Sequence, residues 1–449
     1  MKRLAAILVI ALCAQARAWE PETTQAGLAE QAALSSRLHH RLVTLGFTGG
    51  LFEPLTIPPA DAPALIADLH LLTPTNGMVP DARGRQTALA WIAAGAALAD
   101  VPASHAVNHF FDPATHAGWV RPGLGLRGIM IHVGLPERGV PAPDWIVDKT
   151  NPFNLAGFLD QYAKAVTAAT PGERSRAMAG ALVAAGAIIH TLGDLGNPAR
   201  VRSDERAFFQ PLGGGPDDLG SRFERIAALA YGRLGVPGPS RVITRNHLRD
   251  YFTSVDGGGL ADKISRSYFS ANTLPEDTRV GDDTRPRLVR PQPGLPTRLN
   301  LIVASRDEGT TLRTSDGTCL ARYKVDHGVL GFSLDDDCML EQIAAILPEV
   351  TAYETGLLDF LLRGELTLTI GPQVVVASKG LGAGTIELVV EDDRGVRTPV
   401  GTANVAPGHG DELARFNTPP AGSRVLAVFR GADAAGEPIV AVGALPLAH

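Results

Sequence analysis

The sequence predicts a mainly α-helical body over residues 19–363, followed by an all-β sandwich over residues 364–449. Three observations carry that expectation. Alanine-rich apolar runs at Gln86–Asp100 and Ala177–Pro198 have helical length, and Pro102 and Pro198 stop them. After Gly364 the pattern changes to short β-branched runs, LTLTI, VVVAS, TIELVVED, RVLAVFRG and PIVAVGALPL, divided by Gly, Pro and Asp turns. At 449 residues the chain is also too long for one ordinary core.

Charged residues make up 20% of the chain and the net charge is −6, so no basic footprint points to a stably held nucleic acid. The N-terminus reads as an export signal over residues 1–18: Lys2 and Arg3, an apolar run from Leu4 to Cys13, then Ala16-Arg17-Ala18 as a small-x-small cleavage site. The mature chain then begins at Trp19 and resides in the periplasm or outside the cell. Leu12 precedes Cys13 where lipid attachment wants a small residue, which argues against a lipoprotein. No later stretch is expected to form a transmembrane helix. Cys319 and Cys338 remain after cleavage, and an even pair in an exported chain is expected to form a disulfide.

Taken in order, Thr23 or Thr24 can cap a helix whose apolar face is Ala26, Leu28, Ala29, Ala32, Ala33 and Leu38. His39 and His40 read as its solvated end. The α-amine of Trp19, with a pKa near 8, is a competent ligand close to that helix start. Residues 48–85 are proline-rich loop with a short helical piece around Ala62–Leu71. The Gln86–Asp100 helix ends on a carboxylate, and His109, embedded in Asn108-His109-Phe110-Phe111-Asp112-Pro113, follows it by nine residues. His105 and His116 read as loop histidines bonded to backbone.

The Ala177–Pro198 helix presents His190 and Asp194 one turn apart on one face. Alone, that pair reads first as a core imidazole bonded to a carboxylate. It reads second as two ligands of one metal ion, because both residue types suit borderline or hard divalent ions. Helical pattern continues through Ala227–Tyr231, and residues 244–276 alternate helix with glycine-rich turns. Gly257–Gly259 is a turn, since no GxxxxGK[ST] pattern exists. Residues 285–337 form a β-rich insertion spanned by the cysteine pair. Glu341–Arg363 returns to helix, bent or split at Pro348. The C-terminal sandwich reads as a stabilising appended domain, with membrane-surface or carbohydrate binding as the alternative.

Trp19, Asp100, His109 in NHFFDP, His190 and Asp194 in HTLGDLGNP, and Glu224 in Ser221-Arg222-Phe223-Glu224 together carry a resemblance. In that order they resemble bacterial zinc-dependent phospholipase C, whose all-helical fold is shared with the S1/P1 nucleases, over roughly Trp19 to Arg363. The resemblance implies zinc ions in a cleft between helices that cleave a phosphodiester. One ion's Asp, His, His, Asp set is matched by Asp100, His109, His190 and Asp194. A second ion would take the Trp19 amine and carbonyl, a histidine where Gln25 stands, and the shared Asp194. A third would take Glu224 and two histidines, where this chain has Arg200 and Gly220.

Arg200 cannot ligate zinc, but it can clamp a phosphate or pair with Asp194, Asp204 or Glu224 in a collapsed site. Arg202 and Asp204 read as surface residues, and His39, His105 and His116 are the candidate substitute ligands. Two functions follow as expectations. The first is an exported zinc phosphodiesterase acting on a phospholipid or other phosphodiester, with transient membrane contact. There Asp100 aligns a metal-activated water, and Arg200 steadies the phosphate. The second is a degenerate, non-catalytic relative with one structural zinc, acting as a binding or accessory protein.

Overall fold

The computed structural model describes residues 21–72, 77–123, 135–212, 219–281, 310–406, 408, 411–419 and 424–446. The leader, its cleavage site and Trp19 lie outside the described residues. Among the described residues helices predominate up to Leu361, with short strands and one four-stranded sheet among them, and antiparallel strands in sheets follow, so the fold is mixed α and β.

The central element is the helix Pro171–Gly193, longer at its start than the apolar run alone implies. Its polar first turn is held by a capping box, in which Thr170 Oγ1 accepts from Glu173 N at 3.2 Å and Thr170 N donates to Glu173 Oε2 at 3.0 Å. Contrary to expectation, Pro171–Gly196 is long and apolar enough to cross a membrane, but 94% of its apolar window is buried in the body. Its apolar surroundings are other helices. The Ala88–Leu98 helix, capped by Thr87, lies against it through two facing glycines. A Cβ on Gly95 would stand 2.0 Å from Val183 O, and one on Gly186 would stand 2.1 Å from Ile92 O. Any side chain at either position would force the helices apart.

A π-helical turn, Pro21–Gln25, leads into the helix Ala26–Ser35. Gln25 is its N-cap and makes no side-chain capping bond, so the expected threonine cap does not form. The wider turn extends the helical backbone upstream of Ala26. Leu38 opens a separate helix, Leu38–Leu45, rather than extending the first.

The insertion is a four-stranded antiparallel sheet of Thr278–Arg279, Thr310–Arg313, Cys319–Asp326 and Val329–Ser333. The Cys319–Cys338 disulfide ties its longest strand to the start of the helix Asp336–Leu361. That helix runs unbroken past Pro348, so of the bend or split expected there the split does not occur. Proline removes only one backbone donor, and burial of Leu347, Val350, Leu357 and Leu358 outweighs that loss.

The C-terminal strands form a four-stranded sheet and a three-stranded sheet. In the strand Arg424–Asp433, Val425, Ala427 and Phe429 share a buried cluster with Val374, Val376 and Phe416 of the three-stranded sheet. The alternate residues Leu426 and Val428 join the main helical core instead. Both faces of this strand are therefore covered, which accounts for its continuous apolar run.

Candidate metal centre

Three chain segments meet at the centre. Asp100 follows the Ala88–Leu98 helix directly, and His109 ends the 3-10 stretch Ala103–His109. His190 sits in the last turn of the central helix, and Asp194 is that helix's C-cap in αR geometry. The Gly95–Gly186 contact sets the helix spacing that brings Asp100 and His190 together.

The four residues form one buried group that could hold a metal ion, with ligand atoms all within 4.8 Å of one another. His109 Nδ1 lies 2.8 Å from Asp194 Oδ2 and 3.1 Å from Asp100 Oδ1. His190 Nε2 lies 3.2 Å from Asp194 Oδ2 and 3.6 Å from Asp100 Oδ2. Four ligands at 2.0–2.1 Å from a tetrahedral ion stand about 3.3 Å apart, so these spacings are those of ligand edges. His190 Nδ1 and Nε2 and His109 Nε2 are buried and make no hydrogen bond of standard geometry, although His190 Nε2 stands within ion-pair distance of both carboxylates. An imidazole set between two carboxylates at these spacings presents the edges of a ligand set for one shared ion.

The electrostatics agree with a cation-seeking pocket. Burial opposes ionisation of Asp194, yet Arg200 and His190 outweigh it and hold the carboxyl at about 2. Burial likewise opposes charge on Asp100, and His190 and His109 hold it well below the usual carboxylate range. Burial would lower the His190 pKa, but Asp194 and Asp100 raise it to about 10. In the metal-free protein a proton on His190 supplies part of the positive charge that an ion would bring.

Arg200 is buried and its guanidinium lies over the rings of Phe110 at 4.7 Å and Phe208 at 4.9 Å. Its Nη1 stands 3.6 Å from Asp194 Oδ2 and donates to Ala106 O at 3.1 Å, and its Nε stands 3.6 Å from Glu224 Oε1. It thus pairs with Asp194 and Glu224, and Asp204 is engaged by Asn272 instead. Glu224 stays outside the four-residue group, where Asn197 Nδ2 donates to its Oε1 at 2.8 Å. Burial, reinforced by Asp194 and Asp100, pushes its carboxyl up to about 8. Gly220 pairs with Gln210 in a two-residue strand and brings no donor side chain.

Arg202 and Asp204 are buried, which corrects their expected surface placement. Arg202 Nε donates to Thr273 Oγ1 at 2.8 Å, and Asp204 accepts from Asn272 N and Nδ2 at 2.9 and 2.7 Å, so both are engaged indoors by groups from a distant segment. None of the substitute histidines joins the four ligands. His39 is exposed and accepts from Leu51 N, His116 is exposed at positive φ, and His105 packs edge-on against Trp145. His105 lies near enough to His109 that burial, then the second imidazole, lower its pKa.

Comparison with known proteins yields no match: no family model, curated protein or solved structure aligns with this chain. The centre therefore stands on its own geometry.

Two of its neighbours carry more than the sequence pattern conveyed. Gln25 Nε2 donates to Asp194 Oδ1 at 2.6 Å, so the amide holds the oxygen that a second ion would need. Glu354, from the middle of the Asp336–Leu361 helix, is wholly buried beside the centre. Its signal was available in sequence: at helical spacing Leu347, Val350, Glu354, Leu357 and Leu361 form a core stripe with one acid in it.

Proposed function

We propose that Asp100, His109, His190 and Asp194 hold one zinc ion, and that the chain is a phospholipase C and P1 nuclease-type protein that has given up hydrolysis. The ion ties three helical segments together, and the chain serves as a binding or accessory protein. The observation that carries this reading is Arg200, whose buried guanidinium stands between Asp194 and Glu224, where the resemblance asks for a metal-binding imidazole. Four protein donors in a sealed pocket also match a closed structural site, whereas a catalytic zinc keeps a position open. Mixed imidazole and carboxylate donors favour zinc over a purely oxygen-seeking ion.

The leader's charge and apolar pattern support export and a periplasmic or secreted location. The two C-terminal sheets sharing one buried cluster support the sandwich arrangement of that region.

A second reading, the zinc phosphodiesterase, is favoured by Glu224. A carboxyl pushed up to about 8 beside a guanidinium can stay protonated at neutral pH and serve as a general acid. In that reading the ion supplies water activation, Asp100 orients the water and Arg200 meets the phosphate of a phospholipid or other phosphodiester.

One experiment separates the two: zinc content of the purified mature protein, measured beside turnover of phosphatidylcholine and single-stranded DNA. One zinc per chain without turnover is expected. Zinc-dependent turnover would replace the first reading by the second, and absence of zinc would defeat both.

A further inference from the structure

A cleft of about 280 Å³ lies between the helical body and the C-terminal strands, and none of the four residues of the centre lines it. One side comes from the Leu38–Leu45 helix and the segment just after the Asp336–Leu361 helix. The other comes from Val442, Gly443 and Ala444 of the strand Pro438–Pro446. Leu362, Leu366, Val442 and Ala444 give it an apolar wall. The guanidiniums of Arg37, Arg41 and Arg363 line it together with the carboxylates of Asp359 and Glu365.

Two of those guanidiniums are already matched. Arg363 Nε and Nη2 donate to Asp433 Oδ2 at 3.2 and 2.9 Å, and Arg37 Nε stands 3.4 Å from Asp359 Oδ2. Arg41 differs. It is buried, its Nε donates to Tyr162 Oη at 3.1 Å and its Nη2 donates to Gly364 O, so the plane of its guanidinium is fixed on two edges. The remaining nitrogen, Nη1, has Glu365 Oε1 at 3.8 Å, beyond hydrogen-bond reach. The Glu365 side chain is 82% exposed, so water screens that pair and its contribution is small. The backbone beneath it is pinned, because Leu366 N donates to Val442 O at 3.2 Å. Glu365 can therefore turn into water while the cleft wall stays in place.

We propose that this cleft binds a small organic carboxylate, whose oxygen takes the place of Glu365 at Arg41 Nη1 and whose apolar body lies against Leu362, Leu366 and Val442. A concave apolar wall with one pre-oriented charged donor is the usual make-up of a small-molecule site. Asp359 and Glu365 set the charge of the ligand. They repel a dianion more strongly than a monoanion, which selects a carboxylate over a phosphate monoester, and a neutral ligand would leave Arg41 Nη1 without a counter-charge. Because the wall comes from both the helical body and the last strand, the bound carboxylate ties the two together. The inference does not draw on the metal reading.

The test is calorimetric titration of the purified mature protein with 4-bromobenzoate, 4-bromobenzyl alcohol and 4-bromophenyl phosphate at about pH 7.5, where the phosphate is a dianion. One equivalent of the carboxylate is expected to bind, with the alcohol and the phosphate weaker by about tenfold. Arg41 also holds Tyr162 and Gly364, so the variant is made at its exposed competitor: Glu365→Gln should tighten the carboxylate about threefold. Bromine anomalous density in soaked crystals locates the probe without any variant, and separates the cleft from a carboxylate bound at the four-residue centre. Density in the cleft beside Arg41 supports the proposal. No binding of the carboxylate, equal affinity for the alcohol or the phosphate, unchanged affinity in Glu365→Gln, or bromine density only outside the cleft overturns it.

Discussion

Gln25 Nε2 donates to Asp194 Oδ1 at 2.6 Å across 169 positions of sequence, while the other oxygen of Asp194 faces His109 and His190. The carboxylate is thus divided: one oxygen serves the centre, and the other is held by an amide. Gln25→Ala should leave a buried acceptor without its donor and cost about 1–3 kcal/mol. Chemical denaturation of the metal-free variant and wild type measures this. A change under about 0.5 kcal/mol, within the range of surface substitutions, would mean the bond contributes nothing.

Metal removal has a signed dependence on pH. In the metal-free protein His190 has its pKa raised from 6.5 to about 10, because Asp194 and Asp100 outweigh burial. Between those values the folded protein holds more protons than the unfolded chain. The contribution of His190 to metal-free stability is therefore fully present below about pH 6.5 and is lost as pH rises toward 10, and Glu224, raised to about 8, acts in the same direction. Zinc must displace that proton, so zinc uptake at pH 7 should release about one proton per chain. Melting curves of chelated protein from pH 6 to 9.5, and uptake in a weakly buffered indicator solution, check both statements. Stability of the chelated protein that climbs over this range would contradict them.

Arg200 stands within ion-pair distance of both Asp194 and Glu224. Arg200→Met retains much of the packing against Phe110 and Phe208 but removes the charge, and should destabilise the metal-free protein by about 3–5 kcal/mol. Zinc loading should recover part of that loss by neutralising Asp194. Urea unfolding with and without zinc reads the two values, and equal losses in both states would show that Arg200 acts by packing alone.

The Cys319–Cys338 bond spans a sequence separation of 19. On loop entropy, its removal by a double Cys→Ser change costs about 3 kcal/mol. Because the bond joins the insertion sheet to the first turn of the Asp336–Leu361 helix, hydrogen exchange should quicken there first. Unchanged exchange in Cys319–Asp326 and at the helix start would show that the sheet holds without it.

The sequence by itself determined the elements that depend on neighbours along the chain. Helical length and prolines marked the Ala88–Leu98 and Pro171–Gly193 helices, and β-branched runs marked the C-terminal strands. One turn of helix placed His190 and Asp194 on a common face, and the motif order suggested Asp100 and His109 as their companions. Only the tertiary structure decided the rest. Arg202 and Asp204 look like surface residues until Thr273 and Asn272 arrive to engage them. Gln25 looks like a lost ligand until its amide meets Asp194, and Glu354 looks like one acid in a long helix until Gly193 and Gln25 enclose it. Local spacing sets which way a side chain faces, but its partners, and hence its charge and its chemistry, come from segments that only folding brings within a few ångströms.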